Sequence, residues 1–332
     1  MKKLKIAVLG DGGWGTTLAI LLHKKGFQVC LWGAFSDYVS VLRAKRVNDR
    51  FLPKVKIPPG LEITDNLAHA IEGKGLVVIA VPSQYIRQVL KKIKQLGYPR
   101  RAIWLSVVKG IEVGSLKRMS EIIKEELGNI EAAVLSGPTI AQEVARGIPT
   151  TAVVASEKVN LRKQLQDIFT TENFRVYTNS DVCGVELGGS LKNVIAIACG
   201  ISDGLGFGTN AKAALLARGL AEISRLGKVM GAKPATFSGI SGLGDLVTTC
   251  ISSYSRNRYV GEQIGKGKKL TQVVNRMKMV AEGVPTAKSA YQLSRFFKVN
   301  MPIVKEIYNV LYKNKSSRKA VKDLMTRQKR EE

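Results

Sequence analysis

The sequence predicts a doubly wound α/β domain followed by an all-α domain, and three observations carry that expectation. Short β-branched runs alternate with segments of helical periodicity through the first half of the chain. From about Asp181 those runs stop, and long segments rich in Ala, Leu, Lys and Arg take over. The length of 332 residues fits two domains, each large enough to bury its own core.

Residues 6–10 (IAVLG), 27–32 (FQVCLW), 76–81 (LVVIAV), 102–107 (AIWLSV) and 132–137 (AAVLSG) read as strands of a parallel sheet. A strand covered by helices on both faces is apolar throughout, with no polar alternation. Between them, residues 16–25, 65–71 behind an Asp cap, 83–96 after Pro82, and 115–127 have the lengths that βαβ units require. Residues 151–156 and 174–178 extend the sheet, with a helix between. In the second half, helices are expected over 193–200, 211–230, 270–277, 285–297, 302–312 and 316–327, broken by glycine turns. The boundary is placed at Leu187/Gly188, giving an α/β domain over 1–187 and an all-α domain over 188–332, with Gly188-Gly189 read as a hinge.

Composition removes several kinds of chemistry. Four cysteines stand far apart with no CxxC spacing, so neither a disulfide framework nor a zinc knuckle is indicated. Two histidines, His23 and His69, leave Lys, Asp and Glu as the expected proton-transfer groups and no histidine-rich metal site. The 52 Lys and Arg against 26 Asp and Glu leave a net charge of +26, which suits a phosphorylated ligand, an anionic surface or nucleic acid. The basic residues are spread along the chain, with runs over 91–94 and 313–330, and are not interleaved with stacking aromatics, so nucleic acid is not expected as the main partner. The apolar run of the N-terminus ends at Asp11, too soon for a signal peptide, and no stretch of about 18 apolar residues occurs elsewhere. No membrane span and a cytoplasmic protein are the expectation.

The glycines of GDGGWG, residues 10–15, match GxGxxG through Gly10, Gly12 and Gly15, after a strand and opening a helix. The first permits a tight turn, the second lets the backbone approach a pyrophosphate, and the third lets helix pack on strand, which makes the first domain Rossmann-type. An acid about 20 residues on ordinarily takes the ribose 2′-hydroxyl. Here the second strand ends at Trp32-Gly33-Ala34, and the first acid is Asp37. The missing acid and the positive charge lean toward NADP, although no basic residue stands at that tip.

Lys109 (SVVKGIE) and Gly137-Pro138-Thr139 follow two strands, at the edge where open α/β sheets gather ligands. In ELGGSLKNVIAI, Lys192 stands near a helix start before an apolar stretch, and desolvation there suits an amine to proton transfer. A lysine snorkelling to water fits the same pattern. The stretch SGLGDLVTTC offers the carboxylate of Asp245, and SSYSRNR combines Ser255, Arg256 and Asn257 as a phosphate clamp, or equally as a polar surface loop.

Taken in order, GDGGWGTTLA, LWG, VVKGIE, SGPT, ELGGSLKNVIAI, GLGDL, TTC, SRNR and AEG strongly resemble the bacterial NAD(P)-dependent glycerol-3-phosphate dehydrogenases over essentially the whole chain. The resemblance implies reversible oxidation of sn-glycerol 3-phosphate to dihydroxyacetone phosphate with NAD(P)H, NADPH modestly preferred, and a role in phospholipid synthesis. By motif it makes Lys192 the proton acceptor, with Lys109 polarising the C2 oxygen and Asp245 orienting Lys192 or a substrate hydroxyl. Lys109, Gly137, Thr139, Lys192, Asp245, Ser255, Arg256 and Asn257 would contact substrate. Gly10, Gly12, Gly13, Trp14, Gly15, Lys109, Ala141, Arg256, Val280 and Glu282 would contact the cofactor; no metal is implied, and a homodimer stays open. Many members carry a basic residue or His where Ala34 stands, and Thr139 replaces a frequent Ser while keeping the hydroxyl. A β-hydroxyacid or 6-phosphogluconate type of dehydrogenase would also use a lysine on a helix after the sheet domain, but not the GLGDL and SRN stretches.

Overall fold

The computed structural model describes residues 4–277, 279–329 and 331, so the first three residues and Arg330 of the basic run lie outside the described residues. The chain divides into two compact units, residues 1–109 with 117–186, and residues 110–116 with 187–332.

The first unit is built on β1 (Lys5–Leu9), β2 (Gln28–Trp32), β3 (Val47–Asn48), β4 (Leu52–Lys56), β5 (Glu62–Thr64), β6 (Leu76–Ile79), β7 (Ile103–Ser106), β8 (Glu131–Ser136), β9 (Thr150–Ala155) and β10 (Phe174–Asn179). Eight of these form one sheet in the order β10-β9-β8-β7-β6-β1-β2-β5, and β3 with β4 forms a separate antiparallel pair. Central β1 pairs in parallel with β2 and β6, Ala7 facing Cys30 on one side and Val77 on the other. The chain winds outward from β1 to β5, then returns to β6, so the switch point of the topology lies at β1/β6, where open α/β sheets bind ligands beyond the carboxyl ends. Ile6 and Val8 belong to the core on one face, Ala7 and Leu9 to the core on the other. This two-sided burial is why the strands carry no polar alternation.

Around the sheet run α1 (Gly13–Lys24), α2 (Ser36–Lys45), α3 (Leu67–Ile71), α4 (Ile86–Leu96), α5 (Met119–Leu127), α6 (Ala141–Ala145) and α7 (Val159–Phe169). The sheet is not wholly parallel as expected: β8 and β9 run antiparallel, Leu135 facing Val154. The only helix between them, α6, has five residues and spans about 7.5 Å, too little to carry the chain back along the roughly 20 Å of β8. The eleven residues of α7 do return the chain, so β9 and β10 are parallel. Residues 115–118, expected as helix, precede α5, and the cap of α3 is Asn66, whose side chain accepts from His69 N, rather than Asp65.

Every element of residues 187–331 described is helical: the rest of α8 (Val182–Gly204), then α9 (Thr209–Val229), α10 (Pro234–Phe237), the π-helical turn Ile240–Gly244, α11 (Asp245–Ile251), α12 (Arg256–Gly265), α13 (Leu270–Asn275), α14 (Gly283–Phe296), α15 (Pro302–Tyr312) and α16 (Ser317–Met325). Gly188-Gly189 is not a hinge, because both lie inside the continuous 23-residue α8. A Cβ at Gly188 would stand 2.6 Å from the Ser241 carbonyl oxygen, so this glycine serves close packing. Among the described residues α8 alone is long and apolar enough to cross a membrane, and 89% of its apolar window is buried inside the protein, the mark of a core helix.

Candidate active site

In the first unit, β1 delivers the chain into Gly10, whose φ of +123° is open to glycine and whose N–H donates to the Trp32 carbonyl at 2.9 Å. A Cβ at Gly15 would lie 1.9 Å from the Gly10 oxygen, which is the steric reason the helix needs glycine to pack there. At Gly12, the N-cap of α1, a Cβ would meet no protein atom within 4 Å. The turn thus shows bare backbone outward, and the first turn of α1 has neither an acidic residue nor a side-chain cap, leaving its N–H groups to an anion. This cradle fits a dinucleotide pyrophosphate. Ala141 stands beside it, 3.7 Å from where a Gly13 Cβ would be, its carbonyl accepting from Thr17 Oγ1 at 3.2 Å. Trp14 packs against Phe174 and has a buried Nε1 with no hydrogen-bond partner.

The tip of β2 receives an acid from an unexpected direction. Asp11 Oδ2 is buried without a hydrogen-bond partner, and a Cβ on Gly33 would come within 2.5 Å of it. Burial raises the Asp11 carboxyl above its usual range, opposed by a backbone hydrogen bond and the charge of Arg50. The carboxylate nearest this tip is thus the Asp of GDGG, inside the glycine fingerprint, and not one about 20 residues downstream. Further along the carboxyl edge, neighbouring strands β7 and β8 bring two loops together. Lys109 Nζ donates to the Gly137 carbonyl at 2.6 Å and to Thr139 Oγ1 at 3.2 Å.

In the second unit Lys192 lies well inside α8, not near its start, and is buried at 4% exposure. Its ammonium is held by the Asp245 carboxylate, itself 1% exposed, and by Thr249 Oγ1 at 2.6 Å. Asp245 opens α11 directly after the π-helical turn, and Thr249 stands one turn on, donating back to the Asp245 carbonyl at 2.7 Å. Reading of residue types missed Thr249; its i+4 spacing from Asp245 was the available signal. Arg256, exposed at the start of α12, donates to the Val280 carbonyl at 2.6 Å beside the Glu282 carboxylate, so three residues expected at the cofactor converge. Asn257 is buried, donating to Asn193 Oδ1 at 2.8 Å and accepting from Gly283 N at 2.9 Å, which ties α12 to α8 and α14. Ser255 caps α12 by accepting from Arg258 N.

A largely parallel sheet with an anion-binding glycine turn, and a helical unit around a buried lysine–carboxylate pair, define a nicotinamide-nucleotide dehydrogenase of two units. Family models described as the N-terminus and the C-terminus of NAD-dependent glycerol-3-phosphate dehydrogenase match residues 5–162 and 181–322. The chain is 52% identical over 326 residues to a glycerol-3-phosphate dehydrogenase (NAD(P)+) of Citrifermentans bemidjiense, covering 97% of each. It is 51% identical to one of a Thermoanaerobacter species, covering 99% of each. The crystal structure of glycerol-3-phosphate dehydrogenase from Coxiella burnetii superposes with a TM-score of 0.95 at 39% identity, covering 98% of this chain and 99% of that one. The chain belongs to the NAD-dependent glycerol-3-phosphate dehydrogenase family.

Proposed function

We infer that this protein is an oxidoreductase that interconverts dihydroxyacetone phosphate and sn-glycerol 3-phosphate with NAD(P)H, and so supplies glycerol phosphate for phospholipid synthesis. The observation that carries the reading is the ammonium of Lys192, buried yet held by Asp245 and Thr249, in a chain whose other unit carries the dinucleotide cradle. When bound, the nicotinamide supplies the hydride donor or acceptor. The protein's part is binding and proton management. In reduction Lys192 donates a proton to the forming C2 alkoxide; in oxidation, neutral, it takes the C2 hydroxyl proton. Asp245 and Thr249 fix the direction of its Nζ, and Lys109 polarises the C2 oxygen with Gly137 and Thr139 holding its amine in place. Arg256 grips the phosphate, supported by Ser255 and Asn257, so that remote binding energy positions C2.

Residues 10–15 with Ala141 hold the dinucleotide, together with Arg256, Val280 and Glu282. A modest preference for NADPH is supported by Ala34, which adds no carboxylate of its own at the β2 tip, by burial, which raises the Asp11 carboxyl there and so disfavours its charge, and by Arg50, whose charge reaches the same tip. A cytoplasmic homodimer is the proposed form, to be checked by light scattering. The test of the reaction is absorbance at the reduced-nicotinamide band with dihydroxyacetone phosphate, run with each cofactor. Oxidation of NADPH at a kcat/KM moderately above that of NADH is expected, and no substrate-dependent oxidation with either would refute the reading.

A further inference from the structure

We propose that the first unit carries a divalent transition-metal site, suited to Zn²⁺, formed by Cys30, Glu62 and His69. Their donor atoms, a thiol sulfur, a carboxylate oxygen and an imidazole nitrogen, all lie within 4.8 Å of one another. Three separate elements converge to place them. Cys30 of β2 and Glu62 of β5 are register partners in a parallel pair, so their side chains leave the sheet on one face. Over that face lies α3, whose Leu67, Ala70 and Ile71 share a core with Cys30, and α3 turns His69 Nε2 onto Glu62 Oε1. A cavity of about 800 Å³ opens beside the group at the amino ends of the strands, lined by Glu62, His69 and His23. Both histidines of the sequence therefore border one cavity, and His23 Nδ1 is buried there with no hydrogen-bond partner. Nothing in the dehydrogenase chemistry, which gathers at the opposite ends of these strands, uses this group.

A thiolate, an imidazole and a carboxylate form a mixed S/N/O set that suits Zn²⁺, with water completing four-coordination. Tetrahedral bonds of about 2.0–2.3 Å put donor atoms roughly 3.3–3.8 Å apart, inside the 4.8 Å that spans the three, so the exposed Glu62 and His69 side chains would adjust around the buried Cys30. Binding exchanges the Cys30 thiol proton for the metal and releases it to solvent; the other two ligands donate lone pairs, and no electron is transferred. Lys5 and Lys74 also line the cavity and oppose a dication, so the affinity falls below that of closed four-ligand sites. The bound ion would clip the three-residue edge strand β5 to β2 and α3.

The test strips the full-length protein with a chelator and titrates it with Zn²⁺ by calorimetry and with Co²⁺ by absorption. One Zn²⁺ per chain and a raised Tm are expected, with affinity reduced about tenfold or more in His69→Ala and Glu62→Gln, whose exposed positions leave the fold intact. The thiolate-to-cobalt charge-transfer band should vanish in Cys30→Ser and persist in Cys183→Ser. Absence of stoichiometric Zn²⁺ binding, unchanged affinity in His69→Ala, or a band that survives Cys30→Ser would overturn the proposal.

Discussion

Lys192→Met removes the ammonium while keeping most of the side chain's volume, so chemistry and packing can be read apart. General acid–base catalysis is worth about 10² to 10⁴ in rate, or roughly 3 to 5 kcal/mol of barrier, and turnover should fall by that factor with cofactor affinity unchanged. The structure adds a second consequence. With Lys192 gone, the Asp245 carboxylate, 1% exposed, loses the ammonium paired with it, and breaking a buried pair at one end costs about 3 to 5 kcal/mol of stability. Adding Asp245→Asn removes the buried carboxylate charge and keeps a hydrogen-bonding partner for Thr249. The double variant should therefore recover most of the lost stability and none of the turnover. Urea denaturation measures the first, reduced-nicotinamide absorbance with dihydroxyacetone phosphate the second, and nicotinamide fluorescence titration the cofactor affinity. Turnover within tenfold of the parent in Lys192→Met, or its return in the double variant, would refute the proton-transfer role.

Arg256→Ala should cost about 2 to 4 kcal/mol in kcat/KM for dihydroxyacetone phosphate and clearly less for dihydroxyacetone; an equal factor for both would assign the residue to cofactor or fold instead. Gly12→Ala, with no protein atom within 4 Å of the new Cβ and an ordinary φ of −65°, should leave Tm unchanged while raising the cofactor KM, whereas Gly15→Ala, 1.9 Å from the Gly10 oxygen, should lower both Tm and cofactor affinity. Burial pushes the Glu222 carboxyl up to about 7, against the two backbone N–H groups of Ile303 and Val304 that it accepts. The folded state then keeps a proton that the unfolded chain releases, so this group's stabilisation is full below about pH 4.5 and is lost as pH rises toward 7. Glu222→Gln should gain on the parent by about 3 kcal/mol between pH 4.5 and 8 in urea denaturation, and a pH-independent difference would contradict that.

The sequence by itself determined the alternation of buried strand and helix, the glycine turn after β1, and the change to helices beyond Asp181, because each is written in local periodicity and backbone permission. It also singled out Lys192, Asp245 and Lys109 by residue type and placement. What it left undetermined depends on the path of the chain through space. The direction of β9 follows from how far the short α6 can travel, and the three-residue β5 is too brief to leave a periodic trace. The strand pair β3–β4 shows one largely exposed strand, whose pattern differs little from a loop. Gly188-Gly189 looks like a hinge until the Ser241 carbonyl appears against it, since a glycine in sequence does not say whether it is needed for bending or for closeness. Lys192 and Asp245 are 53 residues apart, and Thr249 joins them only because the fold brings the first turns of α11 within reach of the Lys192 ammonium on α8. Asp11 reaches the tip of β2 through the fold of the glycine turn. Periodicity records which faces are buried; tertiary packing alone chooses which charged group meets which, because an ion pair forms between whatever residues the packed backbone brings within reach.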